Sequence, residues 1–365
     1  MSPPATPRLA VVLDTGDDAA FTHAALAAHA PHAGRITLHP APGTTSDTAL
    51  ASDLLFALGK PAHLPGRFPH GRPPLWEAAS AWTAALALAR LTVLRAHLLD
   101  ERRLERLIGL QRQTCIHLTL VVHRPRLTAA LTRALAATRY TTVSTLTEAR
   151  TLYLGEDATR STAPPSPSSS AARRWITLSA LDRLVSYDSP RPCTDVCAPQ
   201  PIVYHQRPAP IPPTDAQAGQ LAHHLHAATA HPPRAAALAA TVATRASFQQ
   251  LTTARADGFH LTDHTLTLHD RTRYTDGCAI YPLPGWAVVF LHAAAHFAHL
   301  TGTTHLLAAP ADRPALLRLA EDIKVRPPQP PGRIEARPGP VIWDWGEKRE
   351  ALRCERLLPA RAEAW

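Results

Sequence analysis

The amino-acid sequence predicts an α/β fold in two parts: a parallel-sheet, three-layer N-terminal domain, followed by a mainly α domain with a small β-hairpin. Between Leu9 and Leu154, short apolar strands alternate with helical segments, which is typical of a parallel sheet covered by helices. Beyond residue 216, helical segments dominate and two short strands interrupt them. A stretch rich in Pro, Ser and Ala, Glu156 to Arg174, separates the two patterns and predicts a flexible linker.

The first part is expected to contain five strands joined by helices. The apolar runs predict strands at Leu9–Asp14, Arg35–Pro40, Leu91–Leu94, Ile116–His123 and Thr151–Gly155. Helices are expected within residues 17–30, 47–60, 75–90, 100–113 and 125–138, and Asp100 is the expected N-cap of the fourth of these helices.

The second part is expected to consist of helices around one hairpin. Helices are expected within residues 215–230, 234–245, 247–255, 285–302 and 311–324, and strands within 264–270 and 278–283. The domain boundaries that follow are 1–155 for the α/β domain, 156–215 for a Pro- and Ser-rich linker region, 216–323 for the helical domain and 324–365 for a Pro- and Arg-rich tail.

Composition limits the class of protein. The chain has 365 residues and a formal net charge of +9, which favours an anionic partner such as nucleic acid. The many Ala, Pro, Thr and His residues are also typical of GC-rich genomes, in which Arg is frequent for reasons unrelated to binding. The start of the chain has no signal-peptide pattern. The most apolar run, residues 285–300, is interrupted by His and is too short to span a bilayer. The five cysteines have no framework spacing, which indicates reduced thiols. We therefore expect a cytoplasmic protein without membrane contact.

The strand Leu91–Leu94 and the segment after it carry a resemblance. The segment "VLRAHLLDERRLERLIGLQRQTCIHLTLVVHRP" resembles the second nucleotide motif, the following helix and the sensor strand of AAA-type P-loop ATPases, especially those of mobile elements. That family has Asp-Glu-Ala-His where this chain has Leu94-Arg95-Ala96-His97. Leu94 cannot hold magnesium through water, and Arg95 cannot orient an attacking water as a carboxylate does.

The turn after the first strand also lacks the residues that bind nucleotide. The segment "LDTGDDAAFTHAAL" keeps a turn at Gly16 but has no second Gly, no Lys and no following Ser or Thr, and Asp14, Asp17 and Asp18 would repel phosphates. The resemblance therefore implies a retained P-loop-like fold, over roughly Leu9 to Leu154, without ATP hydrolysis. An unrelated α/β domain would show the same strand and helix order.

The helical part has a weaker resemblance to the tyrosine recombinases, the phage-integrase family. In "ATRASFQQL", aligned on Leu251, Thr244 matches the family's Thr, Gln250 stands at its Glu, and Ser247 stands at its catalytic Arg. The hairpin has Arg271 and Arg273 where the family has a Lys, and the chain contains no Tyr after Tyr281 to act as the nucleophile. The resemblance thus implies DNA contact without strand cleavage. A helix-turn-helix, or a plain helical domain with a hairpin, fits the same segment.

Other groupings give no expected site. His292, His296 and His299 share one helix face, but no Glu lies between them to act as a base, and His is frequent throughout the Ala-rich helices of this chain. Cys193 and Cys197 lack the second pair of ligands that structural zinc normally needs. We expect no catalytic residue, no cofactor and no metal.

The function expected from the sequence is that of a non-catalytic, DNA-associated accessory protein of a mobile element or plasmid. Its expected partner is double-stranded DNA, bound through the phosphates by basic residues of the hairpin and the tail: Arg271, Arg273, Lys324, Arg326, Arg333 and Arg337. The alternative is a scaffold or regulator that binds an active ATPase or recombinase partner protein and never touches DNA. An active NTPase fits least well.

Overall fold

The computed structural model describes residues 8–41, 46–66, 68, 71–155, 175–178, 180–181, 200–201, 212–246, 248–269, 278–307 and 313–326. The chain divides into two compact units, residues 1–166 and 167–365. The predicted linker Glu156 to Arg174 and the tail beyond Arg326 lie outside the described residues.

The N-terminal unit contains a five-stranded, wholly parallel sheet in the order β2-β3-β4-β1-β5. Its strands are β1 (Leu9–Leu13), β2 (Arg35–Leu38), β3 (Arg90–Val93), β4 (His117–Val122) and β5 (Thr141–Val143). The described residues of β1 and β4 are nearly all buried, as expected when helices cover both faces of a parallel sheet. The α/β fold class is therefore confirmed.

Six helices cover this sheet as two groups. They are α1 (Ala19–Ala27), α2 (Asp47–Ala57), α3 (Leu75–Ala85), α4 (Glu101–Thr114), α5 (Ala129–Leu135) and α6 (Leu146–Leu154). Helices α2 to α5 contact one another in sequence order, whereas α1 contacts α6. The connection from β1 to β2 runs one way along the sheet, whereas the connections from β2 to β3, β3 to β4 and β4 to β5 run the other way. Because such connections are right-handed, α1 lies on the opposite face of the sheet from α2 to α5.

Side-chain caps set where these helices begin. Asp100 is the N-cap of α4, as predicted, and its Oδ1 accepts a hydrogen bond from the Arg103 amide at 3.0 Å. Asp18, Ser46, Thr128 and Thr145 cap α1, α2, α5 and α6 in the same way.

The predicted strand Thr151–Gly155 is wrong, because these residues form the end of α6 and its C-cap. Thr145 caps this helix through the Glu148 amide, and its hydroxyl donates to the Glu148 carboxylate at 2.6 Å. A Thr followed three residues later by Glu is a helix-start signal in the sequence. The edge strand is instead β5, a run of β-branched residues ten positions earlier.

The second unit is mainly helical. Helix α8 (Pro232–Thr244) is buried along almost its whole length and contacts four neighbours: α7 (Asp215–Ala228), α9 (Phe248–Thr252), α10 (Gly285–Thr301) and α11 (Arg313–Asp322). Six consecutive buried residues, 235–240, are five Ala and one Leu, and such small side chains let the neighbouring helices approach closely.

Two small sheets accompany these helices. The first consists of β7 (Gln200–Pro201), β8 (Phe259–His260), β9 (Thr265–Leu268) and β10 (Ala279–Pro282), in the order β7-β10-β9-β8. It contains the predicted antiparallel hairpin, formed by β9 and β10. Strands β6 (Ile176–Thr177) and β11 (Val325–Arg326) form a parallel pair. Within the described residues, no helix combines the length and apolarity needed to cross a membrane.

Candidate functional site

The carboxyl edge of β1 and β4 is the candidate site. The two strands are neighbours in register, Leu13 opposite Val122, so the residues that follow them, Asp14 and His123, also face each other. The Asp14 amide donates to the Val122 carbonyl at 3.0 Å. The chain leaves β1 towards β2 and leaves β4 towards β5, in opposite directions along the sheet. Ligands of open α/β sheets bind at such a switch point, outside the carboxyl ends of the strands.

A buried carboxylate–histidine pair occupies this position. Asp14 Oδ2 lies 2.7 Å from His123 Nδ1, and their side chains are only 2% and 1% exposed. A carboxylate only accepts hydrogen bonds, so Nδ1 of His123 donates to it. The other ring nitrogen, Nε2, is buried without a hydrogen-bond partner among the described residues. This pairing fixes the orientation of the His123 ring.

Two further carboxylates surround the start of α1. Asp17 Oδ1 lies 3.3 Å from His123 Nδ1, although its side chain is 64% exposed. Asp18 caps the helix by accepting from the Ala20 amide, and Asp14 Oδ1 accepts from the Asp18 amide at 3.0 Å. In P-loop proteins the N–H groups at this position hold phosphate. Here the protein's own carboxylates occupy them, so this helix end cannot take an anionic phosphate.

The end of β3 is equally unsuited to hold magnesium. Leu94 is fully buried in a cluster with Val12, Phe21 and Val121. Arg95 adopts a left-handed backbone conformation with φ of 52° and begins the short helical turn that carries His97. The described residues that directly follow β3, Leu94 to Leu99, include no carboxylate.

His97 and Tyr153 complete the surroundings of His123. The His97 ring lies at 72° to that of His123, with 6.1 Å between centroids, and its Nδ1 is buried without a partner among the described residues. Burial lowers the pKa of His97, and the nearby positive charges of Arg124 and Arg95 act in the same direction. Burial, and then the negative charge of Asp14, raises the pKa of Tyr153.

Tyr153 belongs to the layer directly beneath the pair. Its hydroxyl is buried without a hydrogen-bond partner within the described part of the chain, and its ring packs with Val12 and Val121. Because side chains alternate along a strand, Asp14 shares a face with Val12, and His123 shares a face with Val121. The site therefore continues the face that α1 and α6 cover.

The sequence did not identify this site, but it contained a signal for it. Two of the predicted strands end in Asp14 and His123, and polar residues at the carboxyl ends of parallel strands meet only if the strands are neighbours. The missing information was the strand order.

Of the six predicted DNA-binding residues, the structure describes two. Arg271, Arg273, Arg333 and Arg337 lie outside the described residues. Lys324 and Arg326 lie two positions apart around β11, and the charged groups of both are 5.2 Å from the ring centroid of Trp175. The pairing of β11 with β6, which follows Trp175 directly, brings these three side chains together.

Two of the positions that the sequence comparison aligned with tyrosine recombinases, Thr244 and Gln250, are buried in the second unit. Thr244 is buried, and its hydroxyl donates to the Ala240 carbonyl at 2.7 Å. Gln250 is buried as well, and its Nε2 donates to the Tyr281 hydroxyl at 3.3 Å. Arg245 ends α8 in a left-handed conformation, and Ser247 lies outside the described residues.

The histidines of α10 form a pair rather than a ligand set. The His292 and His296 rings are 4.8 Å apart, and burial lowers the pKa of each. Among the described residues, the one group of at least three His, Cys, Asp or Glu side chains with converging donor atoms is Asp14, Asp17 and His123. Cys193 and Cys197 lie outside the described residues.

Comparisons of the chain with protein-family models, with curated proteins and with solved structures gave no match.

Proposed function

We propose that this chain is a non-catalytic, DNA-associated accessory protein of a mobile element or plasmid, acting in the cytoplasm. In this proposal the N-terminal unit derives from an AAA-type ATPase and the helical unit from a tyrosine recombinase, and neither retains its chemistry. The observation that carries the DNA contact is the group of Lys324, Arg326 and Trp175.

This group has the chemistry of a phosphate contact. Lys324 is exposed and Arg326 is partly buried, and neither forms an ion pair with a carboxylate of the described residues. Two cations beside one aromatic ring suit a nucleic-acid backbone, because the cations bind phosphate and the ring offers a stacking surface. The net charge of +9 favours the same kind of partner.

The absence of ATP chemistry is supported by the start of α1. A bound triphosphate would meet the carboxylates of Asp14, Asp17 and Asp18, and Leu94 is a core residue rather than a metal ligand. Calorimetry with magnesium-ATP should therefore show no binding in the micromolar range. Micromolar binding would overturn this part of the proposal.

A salt titration of duplex binding by the full chain tests the DNA contact. Each phosphate contact that is lost should lower the slope of log K against log salt by about one unit. Changing Lys324 and Arg326 together to Gln should thus lower it by about two units, with little change in sequence preference. Replacing Arg271 and Arg273 together by Ala should have an effect of the same size.

A control with the same change in charge separates local contact from net charge. Arg133 and Arg255 already form ion pairs with Glu101 and Asp257, at 2.6 and 3.2 Å. Changing these two to Gln should leave the slope nearly unchanged. An equal loss in both double variants would indicate an effect of net charge alone, and no duplex binding at low salt would end the DNA proposal.

The second candidate function is a scaffold that binds an ATPase or recombinase partner through the N-terminal unit. One observation favours it: Phe56, on α2, is 78% exposed, so its aromatic ring is available to a partner protein. The test is a pull-down of an ATPase by the full chain, in low and high salt. An interaction that persists in high salt and is lost in Phe56→Ser, together with no duplex binding by the chain, would favour the scaffold function over the DNA-binding function.

A further inference from the structure

We propose that Asp14, Asp17 and His123 bind one divalent transition-metal cation, of the class of Zn²⁺ or Mn²⁺, at the carboxyl edge of β1 and β4. One oxygen of each carboxylate and a ring nitrogen of His123 all lie within 4.8 Å of one another. This site goes beyond the proposed DNA association and does not depend on it.

The separations between the donor atoms suit a metal centre. With metal–ligand bonds of about 2.0 to 2.1 Å, neighbouring ligands of a tetrahedral site lie about 3.3 Å apart. Asp17 Oδ1 and His123 Nδ1 are separated by 3.3 Å, which matches this value. Asp14 Oδ2 is closer to Nδ1, at 2.7 Å, so a cation would move this carboxylate outwards by roughly half an ångström.

A buried hydroxyl beside the cluster supplies an independent reason to expect a ligand. The Tyr153 hydroxyl is buried and has no hydrogen-bond partner among the described residues. Buried polar groups are normally satisfied, since leaving one unpaired costs free energy. Tyr153 is only 1% exposed and belongs to the same cluster as Val12, which shares a sheet face with Asp14, so its hydroxyl is shielded from solvent on the face that carries the site.

The donor set selects the kind of cation. One imidazole nitrogen with two carboxylates suits Zn²⁺, Mn²⁺, Fe²⁺ or Co²⁺, whereas Ca²⁺ and Mg²⁺ favour all-oxygen sets. The two carboxylates balance the charge of a divalent ion. Because Asp17 is on the exposed side of the site, solvent can reach the remaining coordination positions.

Binding of the cation changes where the His123 ring carries its proton. In the metal-free pair, Nδ1 of His123 carries the proton that it donates to Asp14. A metal ion needs the lone pair of this nitrogen, so the Nδ1 proton has to leave. A cationic ring releases that proton to solvent, whereas a neutral ring takes up a proton on Nε2 in its place.

Adjacent aspartates provide a matched pair of variants. Asp17→Asn removes a ligand, and Asn tolerates the left-handed backbone of this position, where φ is 50°. Asp18→Asn makes the same change in charge one residue away and keeps the N-cap, for which Asn and Asp serve equally well. His296→Gln removes one histidine of the α10 pair, which is the main competitor for metal.

The experiment titrates Zn²⁺ into the metal-stripped full chain by calorimetry, and repeats the titration with Co²⁺ by visible absorption. The wild-type chain, Asp18→Asn and His296→Gln should each bind one equivalent. Asp17→Asn should bind at least about tenfold more weakly, since even the partners that only orient metal ligands are worth 10- to 100-fold. His123→Gln should abolish binding, and Asp17→Asn decides the matter if that variant does not fold.

Three results would overturn the proposal. The first is no stoichiometric binding by the wild-type chain. The second is an equal loss of affinity in Asp17→Asn and Asp18→Asn, which would indicate general electrostatic attraction. The third is loss of binding in His296→Gln, which would place the metal on α10.

Discussion

The unpaired hydroxyl of Tyr153 yields a quantitative prediction: Tyr153→Phe should stabilise the metal-stripped protein. The hydroxyl is buried without a hydrogen-bond partner among the described residues. An unsatisfied buried polar group of this kind costs about 1 to 3 kcal/mol. Removing one oxygen leaves a void of roughly 15 Å³. At about 24 cal/mol per Å³, this void destabilises the protein by only some 0.3 kcal/mol. The expected net gain is therefore about 1 kcal/mol at neutral pH.

The assay is thermal and denaturant unfolding of the full chain. A gain of about 1 kcal/mol should raise the melting temperature of the N-terminal transition by roughly 2 to 4 °C, the shift expected for a unit of this size. Tyr140→Phe is the matched control, because Tyr140 is 37% exposed and its hydroxyl can bond to water. Its effect should stay within about 0.5 kcal/mol.

Alkaline pH should widen the difference between Tyr153→Phe and the wild type. Burial and the charge of Asp14 raise the pKa of Tyr153 above its ordinary value of 10.0. Below pH 10 the tyrosine is neutral in both folded and unfolded chains, so its contribution to the free energy of unfolding does not depend on pH there. Above pH 10 the unfolded chain releases the proton and the folded chain retains it, so stability falls by up to about 1.4 kcal/mol per pH unit.

Tyr153→Phe should lack this part of the alkaline loss. The reasoning is refuted if Tyr153→Phe destabilises the protein by 1 kcal/mol or more at neutral pH, because the hydroxyl would then be making a hydrogen bond in the native state.

Three further predictions concern the N-terminal unit. Burial lowers the pKa of Lys60 well below 10.5, so between this lowered pKa and pH 10.5 the unfolded chain binds more protons and stability should rise with pH. Lys60→Met should flatten this rise in denaturant titrations, and an unchanged rise would contradict the assignment. Asp100→Ala should cost about 1 kcal/mol through loss of the α4 cap, and Asp100→Asn should cost much less; equal losses by calorimetry would show that the cap is not the cause. Leu94→Asp restores a carboxylate to the end of β3, but should destabilise the core by about 3 kcal/mol or more and create no ATPase activity, as phosphate release would reveal.

Local signals in the sequence predicted most elements of the fold. The predicted cap at Asp100 and the apolar runs of β1 and β4 depend on neighbouring residues, so they can be recognised without tertiary information. The strand prediction at Thr151–Gly155 was wrong because a short apolar run fits a strand or a helix. The N-cap at Thr145 shows that these residues belong to a helix. Strands of two residues, such as β6 and β11, have no periodicity and exist only because each pairs with the other.

By itself, the sequence determined that the turn after β1 has no lysine and that β3 is followed by Leu94 and Arg95 rather than by acids, because a missing functional group is visible without coordinates. It also determined that Asp14 and His123 end two apolar runs. Only the tertiary structure decided that these two residues, 109 positions apart, meet at 2.7 Å. The physical reason is that strand order results from the packing of helices on both faces of the sheet. The β4-β1 neighbourhood is thus a property of the whole domain and cannot be obtained from the periodicity of either strand.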